Sequence, residues 1–259
     1  MAKRKAAIKK RDQVTQYGIF GVEPKLFEDL HPITIIVVGC GGTGSLILSR
    51  LARLHQVLVH LGRKGLSVVA YDPDVVEPWN VGRQLFTQND IGLNKAEALI
   101  SKINMAFGVN WECIKEAYQG YSPSNFIISA TDTVASRQVV KDSWLKTKLQ
   151  HFYGKPLYWI DCGNGKDFGQ IVLTDRHEIL ADIFDIAPDI DLQQAMEHQG
   201  IGCSFQEKLN EQDVFINDEM ALIAVDMIWK MLYYRQIDYN VVYTNYQTMD
   251  RKKGLVLKK

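Results

Sequence analysis

Ile33-Thr-Ile-Ile-Val-Val38, followed at once by Gly39-Cys-Gly-Gly-Thr-Gly44, decides the fold. The first six residues are a nearly continuous β-branched run, the pattern of a strand buried on both faces. The glycine turn leads into Ser45 to His60, where Leu46, Leu48, Leu51, Leu54 and Leu58 fall near a 3.6-residue period and predict a helix with one buried stripe. Leu66-Ser-Val-Val-Ala-Tyr71 is a second apolar strand, and it stops at Asp72-Pro-Asp74. Strand, glycine turn, helix and strand make one βαβ unit, whose parallel strands are joined by a right-handed crossover.

Further units follow. Lys95 to Asn104 reads as a helix, Phe126-Ile-Ile-Ser129 as a buried strand ending in Ala130-Thr131-Asp132, and Val134 to Lys148 as another helix. Leu157 to Ile160 and Gly169 to Leu173 read as strands, and their short glycine-rich link favours an antiparallel pairing. From Asp175 to Gln212 the pattern weakens into a crossing connection or lid, after which Phe215 to Tyr234 is an amphipathic helix. Val241 to Leu257 has room for one or two strands. The expected class is therefore α/β, a Rossmann-like doubly wound, mostly parallel sheet that continues into antiparallel strands. The expected segments are a basic arm over 1–31, a nucleotide-binding domain over 32–240 with its crossover at about 175–212, and C-terminal strands with a basic tail over 241–259.

Composition bounds the function. The 259 residues suit one large domain, and 46% hydrophobic with 23% charged residues is ordinary globular usage, which excludes collagen-like, disordered and disulfide-scaffold classes. The longest apolar stretch, Ile33 to Leu48, carries four glycines and is shorter than the roughly 20 residues a bilayer demands, so no membrane association is expected. The basic start runs into Asp12 without an apolar stretch, so no secretory leader is read there. Cys40, Cys113, Cys162 and Cys203 form no Cys-x-x-Cys pair, and the six histidines show no His-x-x-x-His spacing. Sparse cysteine without a leader points to a reducing, cytoplasmic setting.

Formal net charge is zero, but Lys3, Arg4, Lys5, Lys9, Lys10 and Arg11 crowd the front and Arg251, Lys252, Lys253, Lys258 and Lys259 the back. Eleven of the 30 cations thus lie at the ends, and the body is left acidic. An acidic body is a poor nucleic-acid surface, so nucleic acid is not expected as a partner, although the basic tails leave it open.

Gly39, Gly41, Gly42 and Gly44 sit between a strand and a helix, the context a phosphate-binding turn requires. Missing Cβ atoms let phosphate oxygens approach amide N–H groups at a helix start, where the dipole also favours negative charge. Asp72, at the end of the second strand, is placed for a ribose. NAD, FAD and ATP all satisfy that pair, and glycines that only permit close packing remain the plain alternative. The run from Asp72 to Ala96 then brings Asn80, Arg83, Gln84 and Lys95 into the following loop and helix start. Two cations beside a mononucleotide suit a triphosphate whose α,β bond is to be broken, whereas hydride transfer has no need of them. Surface charge is the alternative for Arg83 and Lys95, and a helix cap the alternative for Asp132.

This run resembles the E1-like superfamily of adenylating enzymes, with its ThiF, MoeB and HesA members, that activate ubiquitin-like proteins. Ser129-Ala-Thr-Asp132-Thr-Val-Ala-Ser-Arg137 and Gly165 to Leu173 are similar to further segments of the same family. Gly200 to Asn217 resembles the ThiF-related proteins of the prokaryotic PRTRC system. The resemblance implies a ThiF/MoeB-type fold and attack of a partner's C-terminal carboxylate on the α-phosphorus of ATP. It places the glycine turn at the phosphates, Asp72 at the ribose, Asn80, Arg83, Gln84 and Lys95 at the triphosphate, and Asp132 on a magnesium ion, Mg2+. Arg83, Lys95 and Asp132 are then catalytic residues, and Cys203 is a candidate to receive the acyl group as a thioester, with a buried thiol as its alternative. Cys40 and Cys162 read as packing residues. The implied partner is a small ubiquitin-like protein with a Gly-Gly type tail, and the implied assembly is a homodimer to which the last long helix contributes. Two departures stand out: the family's paired-cysteine zinc motif is missing, and Arg11, the nearest candidate for an arm arginine that reaches a partner subunit's nucleotide, lies in unmatched surroundings. An inactive nucleotide-binding scaffold and an NAD-dependent oxidoreductase are the competing readings.

Overall fold

The computed structural model describes residues 19–28, 30–120, 124–149, 157–189 and 215–258. Along the chain come β1 (Phe20–Gly21), a 3-10 turn (Pro24–Phe27), β2 (Ile33–Val38), α1 (Gly42–His60), β3 (Leu66–Tyr71), α2 (Lys95–Phe107), β4 (Glu112–Ile114) and β5 (Phe126–Ser129). After them come α3 (Val134–Leu149), β6 (Tyr158–Asn164), β7 (Phe168–Asp175), α4 (Ile183–Ile186), α5 (Ile216–Tyr234), β8 (Gln236–Ile237), β9 (Val241–Asn245) and β10 (Asp250–Gly254).

The main sheet has the order β10-β9-β7-β6-β5-β2-β3-β4. From β4 to β6 all neighbours are parallel, and β7, β9 and β10 continue the sheet antiparallel. The chain leaves β2 toward β3 on one side and later returns to β5 on the other. The carboxyl ends of β2, β3 and β5 therefore border the crevice where an open α/β sheet takes its ligand.

The β-branched run of β2 is buried on both faces, as its pattern predicts. Ile33, Ile35 and Val37 join the larger core with Ile47, Leu48, Leu51, Leu54 and Leu58 of α1, and α2 and α5 cover the same face. Ile36 and Val38 point the other way, into a smaller core with Val134, Val140 and Trp144 of α3. Leu46, read as part of the buried stripe, is only partly buried, and Ile47 takes its place. The helix also starts three residues earlier than Ser45 because the glycine turn forms its first turn.

One expected segment border moves. Residues 19–28, read as part of an arm, carry Phe20, Val22 and Leu26 in the larger core, and β1 pairs with β8 antiparallel. Val241–Asn245 and Asp250–Gly254 form two C-terminal strands, as expected, and β9 joins the main sheet through its antiparallel pairing with β7. Of the crossover, residues 175–189 are described, and the Asp175 carboxylate fixes their start by accepting N–H groups of His177, Ile179 and Leu180; residues 190–212 lie outside the described residues. Three of the five C-terminal cations are paired within the chain: Arg251 with Glu219 at 2.6 Å, Lys253 with Asp238 at 2.7 Å and Lys258 with Glu178 at 3.2 Å. The front cluster and Lys259 lie outside the described residues. Among the described residues no helix is long and apolar enough to cross a membrane.

One polar network is sealed inside the smaller core. Arg137 Nε lies 3.2 Å from Asp161 Oδ1, which also accepts the Ser129 hydroxyl at 2.6 Å, and Trp159 Nε1 donates to Ser129 Oγ at 2.7 Å. Burial pushes the Asp161 carboxyl up from its ordinary pKa, against the pull of Arg137 and the Ser129 hydroxyl. Removing one member leaves the other as an uncompensated buried charge. Arg137→Ala is expected to cost about 3–5 kcal/mol in urea unfolding, and Arg137→Leu combined with Asp161→Leu to recover most of it.

Candidate functional site

The crevice is assembled by hydrogen bonds between strand ends. Gly39 N–H donates to the Tyr71 carbonyl at 2.9 Å, which ties the exit of β2 to the last residue of β3. Gly39 has φ +92°, and a Cβ there would press on the Ala130 carbonyl oxygen beyond β5, so a side chain is refused on two counts. Asp72, 5% exposed, accepts Cys40 N–H on Oδ2 at 2.6 Å and Asp74 N–H on Oδ1 at 2.8 Å. Burial raises its pKa above the usual carboxylate range, while those two N–H bonds and Lys95 pull it back. Its second lone pairs stay available for hydroxyl donors.

The four glycines divide by role. A Cβ on Gly44 would fall on the Gly39 carbonyl, and one on Gly42 would meet the Asn217 side chain at 2.6 Å. Packing therefore accounts for Gly39, Gly42 and Gly44, whereas a Cβ on Gly41 would meet nothing within 4 Å among the described residues. Gly41 is also the N-cap of α1 and supplies no side-chain acceptor. The first helical hydrogen bond runs from Ser45 N–H to the Gly41 carbonyl at 3.0 Å, so the N–H groups of residues 42 to 44 have no acceptor in the helix. By contrast α2 is capped by Asn94, and Thr133 Oγ1 accepts Ser136 N–H at the start of α3. An uncapped helix start beside Gly41 presents the kind of N–H groups that anions accept from.

The loop after β3 presents the charged residues. Asn80, 4% exposed, accepts Glu77 N–H on its own side-chain oxygen at 2.9 Å, and its carbonyl accepts Gln84 N–H at 2.9 Å. Asn80 is thus first a brace for the turn that displays Arg83 and Gln84. The Ser45 hydroxyl accepts Leu85 N–H at 3.3 Å and so fastens that turn to α1. Gln84 Oε1 is buried with no hydrogen-bond partner among the described residues. Lys95, 9% exposed, sends Nζ to Asp74 Oδ2 at 2.9 Å. Asp74 therefore links the Asp72 carboxylate to the lysine through its own N–H, and sequence reading assigned it no role. Asp132 is exposed on the loop after β5, and at the start of α3 the Thr133 hydroxyl accepts Ser136 N–H.

The ThiF family matches residues 14–251, nearly the whole chain. The chain belongs to the ThiF family. The catalytic subunit of the NEDD8-activating enzyme E1 of Saccharomyces cerevisiae is 31% identical over 137 residues, half of this chain and 43% of that protein. The Caenorhabditis elegans counterpart is 26% identical over 153 residues, 56% of this chain and 34% of that protein. The chain thus spans less than half the length of these relatives. A solved structure of E. coli MccB with ATP superposes with a TM-score of 0.66 at 14% identity, over 90% of this chain and 66% of that one, a likeness of fold. MccB has also been solved with MccA.

Within this ThiF-family chain, the glycine turn, Asp72, Asn80, Arg83, Gln84 and Lys95 all belong to the β2 and β3 ends of the sheet edge, and Asp132 follows the neighbouring β5. Cys203, Arg11 and all of the Gly200 to Asn217 stretch up to residue 214 lie outside the described residues. Among the described residues, no group of three or more His, Cys, Asp and Glu side chains is gathered to hold a metal ion. Asn164, Asn217 and Asp161 escaped sequence reading as well; for Asp161 the signal was an acid set inside an apolar strand, which demands a partner. Cys40 and Cys162 are buried as expected, and burial pushes both thiols well above their ordinary pKa. Since the thiolate is the reactive form, iodoacetamide at pH 7.5 should label neither in the folded chain, and both should react once urea unfolds it. Mass spectrometry of the labelled peptides reads this directly.

Proposed function

We propose that this chain binds Mg-ATP at the β2–α1 turn and adenylates the C-terminal carboxylate of a small protein or peptide. The observation that carries the reading is the open, uncapped α1 start at Gly41, flanked on the same sheet edge by buried Asp72 and by Lys95. The relatives support it in class: the NEDD8-activating enzyme is an E1, and MccB has been solved with ATP and with MccA.

In this reading the N–H groups of residues 42 to 44 receive phosphate oxygens and Asp72 receives ribose hydroxyls. Lys95 and Arg83 offset the charge that grows on the leaving pyrophosphate. A carboxylate oxygen of the partner attacks the α-phosphorus, the bond to the bridging oxygen breaks, and pyrophosphate departs with both electrons. The carboxylate is already the nucleophile, so the chain has no need of a general base. Two anions meet at the α-phosphorus, and fixed cations and amides in a desolvated crevice are the means to offset their repulsion. Asp132, one exposed carboxylate beyond β5, suits Mg2+, which takes one or two protein carboxylates with phosphate oxygens and water for the rest. When bound, that ion supplies positive charge at the phosphates.

The finer features of the proposal are a ubiquitin-like partner with a Gly-Gly type tail, transfer of the acyl group to Cys203, and a homodimer. Sequence resemblance supports each of them.

Calorimetry on the full chain tests the nucleotide. Mg-ATP is expected to bind in preference to NAD, and Lys95→Ala to weaken it by about 10- to 100-fold, the effect of losing one charge-assisted contact. Preference for NAD, or ATP binding indifferent to Lys95→Ala, overturns the reading. With a competent partner, ATP–pyrophosphate exchange should fall in Lys95→Ala and Asp132→Ala alike.

A further inference from the structure

Asn217 lies 2% exposed in the first turn of α5, far in sequence from the glycine turn and yet in contact with it. Its Oδ1 accepts two hydrogen bonds, from the Thr43 hydroxyl at 2.8 Å and from Asn164 Nδ2 at 3.1 Å. Its amide lies across Gly42, in the space where a Cβ of residue 42 would be. One side chain thus touches the first turn of α1, the carboxyl end of β6 and, through its own backbone, the start of α5. The next two residues extend the fixation: Asp218 pairs with Arg50 of α1 at 2.9 Å, and Glu219 accepts Thr244 of β9 at 2.8 Å and Arg251 of β10 at 2.6 Å.

The physical consequence concerns the field at Gly41. The N–H groups of residues 42 to 44, which have no acceptor in the helix, serve an anion only if α1 keeps its first turn open and in place. Nothing caps that turn from within, and Thr43, at its second position, spends its hydroxyl on Asn217. Asn217 also brings the positive end of α5 against the positive end of α1, two dipoles that favour the same negative charge. A neutral amide does this without adding charge of its own.

We propose that Asn217 is a positioning residue of the phosphate site: its amide holds the α1 start open for the triphosphate and joins the α5 dipole to it. This rests on the reading of the α1 start as the anion site. It also gives a role to the end of the Gly200 to Asn217 stretch, which the proposed chemistry leaves without one. The role demands an acceptor for Thr43 and Asn164 and the absence of negative charge, and Asn satisfies both.

Asn217→Asp separates a positioning role from mere packing, because a carboxylate accepts the same two hydrogen bonds in the same shape. The measurement is calorimetric affinity of the full chain for Mg-ATP, adenosine and inorganic tripolyphosphate, with the thermal midpoint as a fold control. In Asn217→Asp, Mg-ATP and tripolyphosphate are expected to bind at least about tenfold more weakly, since a new charge faces theirs across a poorly screened site. Adenosine affinity should stay near wild type, and a thermal midpoint well above the assay temperature shows that the variant remains folded. Asn217→Ala, which removes the acceptor, should lower triphosphate affinity less than Asn217→Asp does. Unchanged ATP affinity in Asn217→Asp, or equal losses for ATP and adenosine, overturns the proposal. Wild-type chain that binds tripolyphosphate but prefers NAD to ATP contradicts the adenylation reading alone, and failure to bind any of these anions contradicts both.

Discussion

The two hydrogen bonds that Asp72 accepts, from Cys40 N–H and Asp74 N–H, join the end of β2 to the end of β3 and set everything around the crevice. A buried carboxylate at 5% exposure is costly unless its oxygens are satisfied, and here two loop amides satisfy them. The bond from Cys40 holds the glycine turn against β3. The bond from Asp74 begins the loop that ends on Lys95, whose ammonium returns to the Asp74 carboxylate. The lysine's own N–H also donates to the Asp74 carbonyl at 2.9 Å, and Asn94 Nδ2 donates to the carbonyls of both Asp72 and Asp74. Site and scaffold are therefore one network, and the α1 start is the part of it left open.

Support for that opening comes from the far end of the chain. α5 packs along α1 across the larger core, and Asn217, Asp218 and Glu219 fasten its first turn to α1, β6, β9 and β10. The antiparallel extension of the sheet thereby acts as a foundation for the parallel half, where the proposed anion site lies. β1 and β8 close the same loop of support from the chain's two flanks.

Elements whose information is local were legible in sequence. β3 and β5 fall on the bounds their apolar runs predict, and β2 was readable because burial on both faces leaves no polar position in its last four residues. What was not legible depends on distant partners. β1 and β8 have two residues each and exist through their pairing, and β4 is three residues at a sheet edge. β6 runs on through Asp161 to Asn164 because Arg137 and Ser129 satisfy an acid that local pattern reads as a strand end. For the candidate site, residue types and order suggested Asp72, Asn80, Arg83, Gln84 and Lys95, but not that packing explains three of the four glycines or that Asn217 occupies the space over Gly42. Hydrogen bonds between side chains more than a hundred residues apart leave no periodic trace.

Amide hydrogen exchange with and without Mg-ATP tests the central claim most directly, because the claim concerns backbone N–H groups. The account predicts new protection concentrated in residues 41 to 44 and 72 to 74, at the carboxyl ends of β2 and β3. Nucleotide-dependent protection confined to other elements, with the β2–α1 turn unchanged, would contradict it.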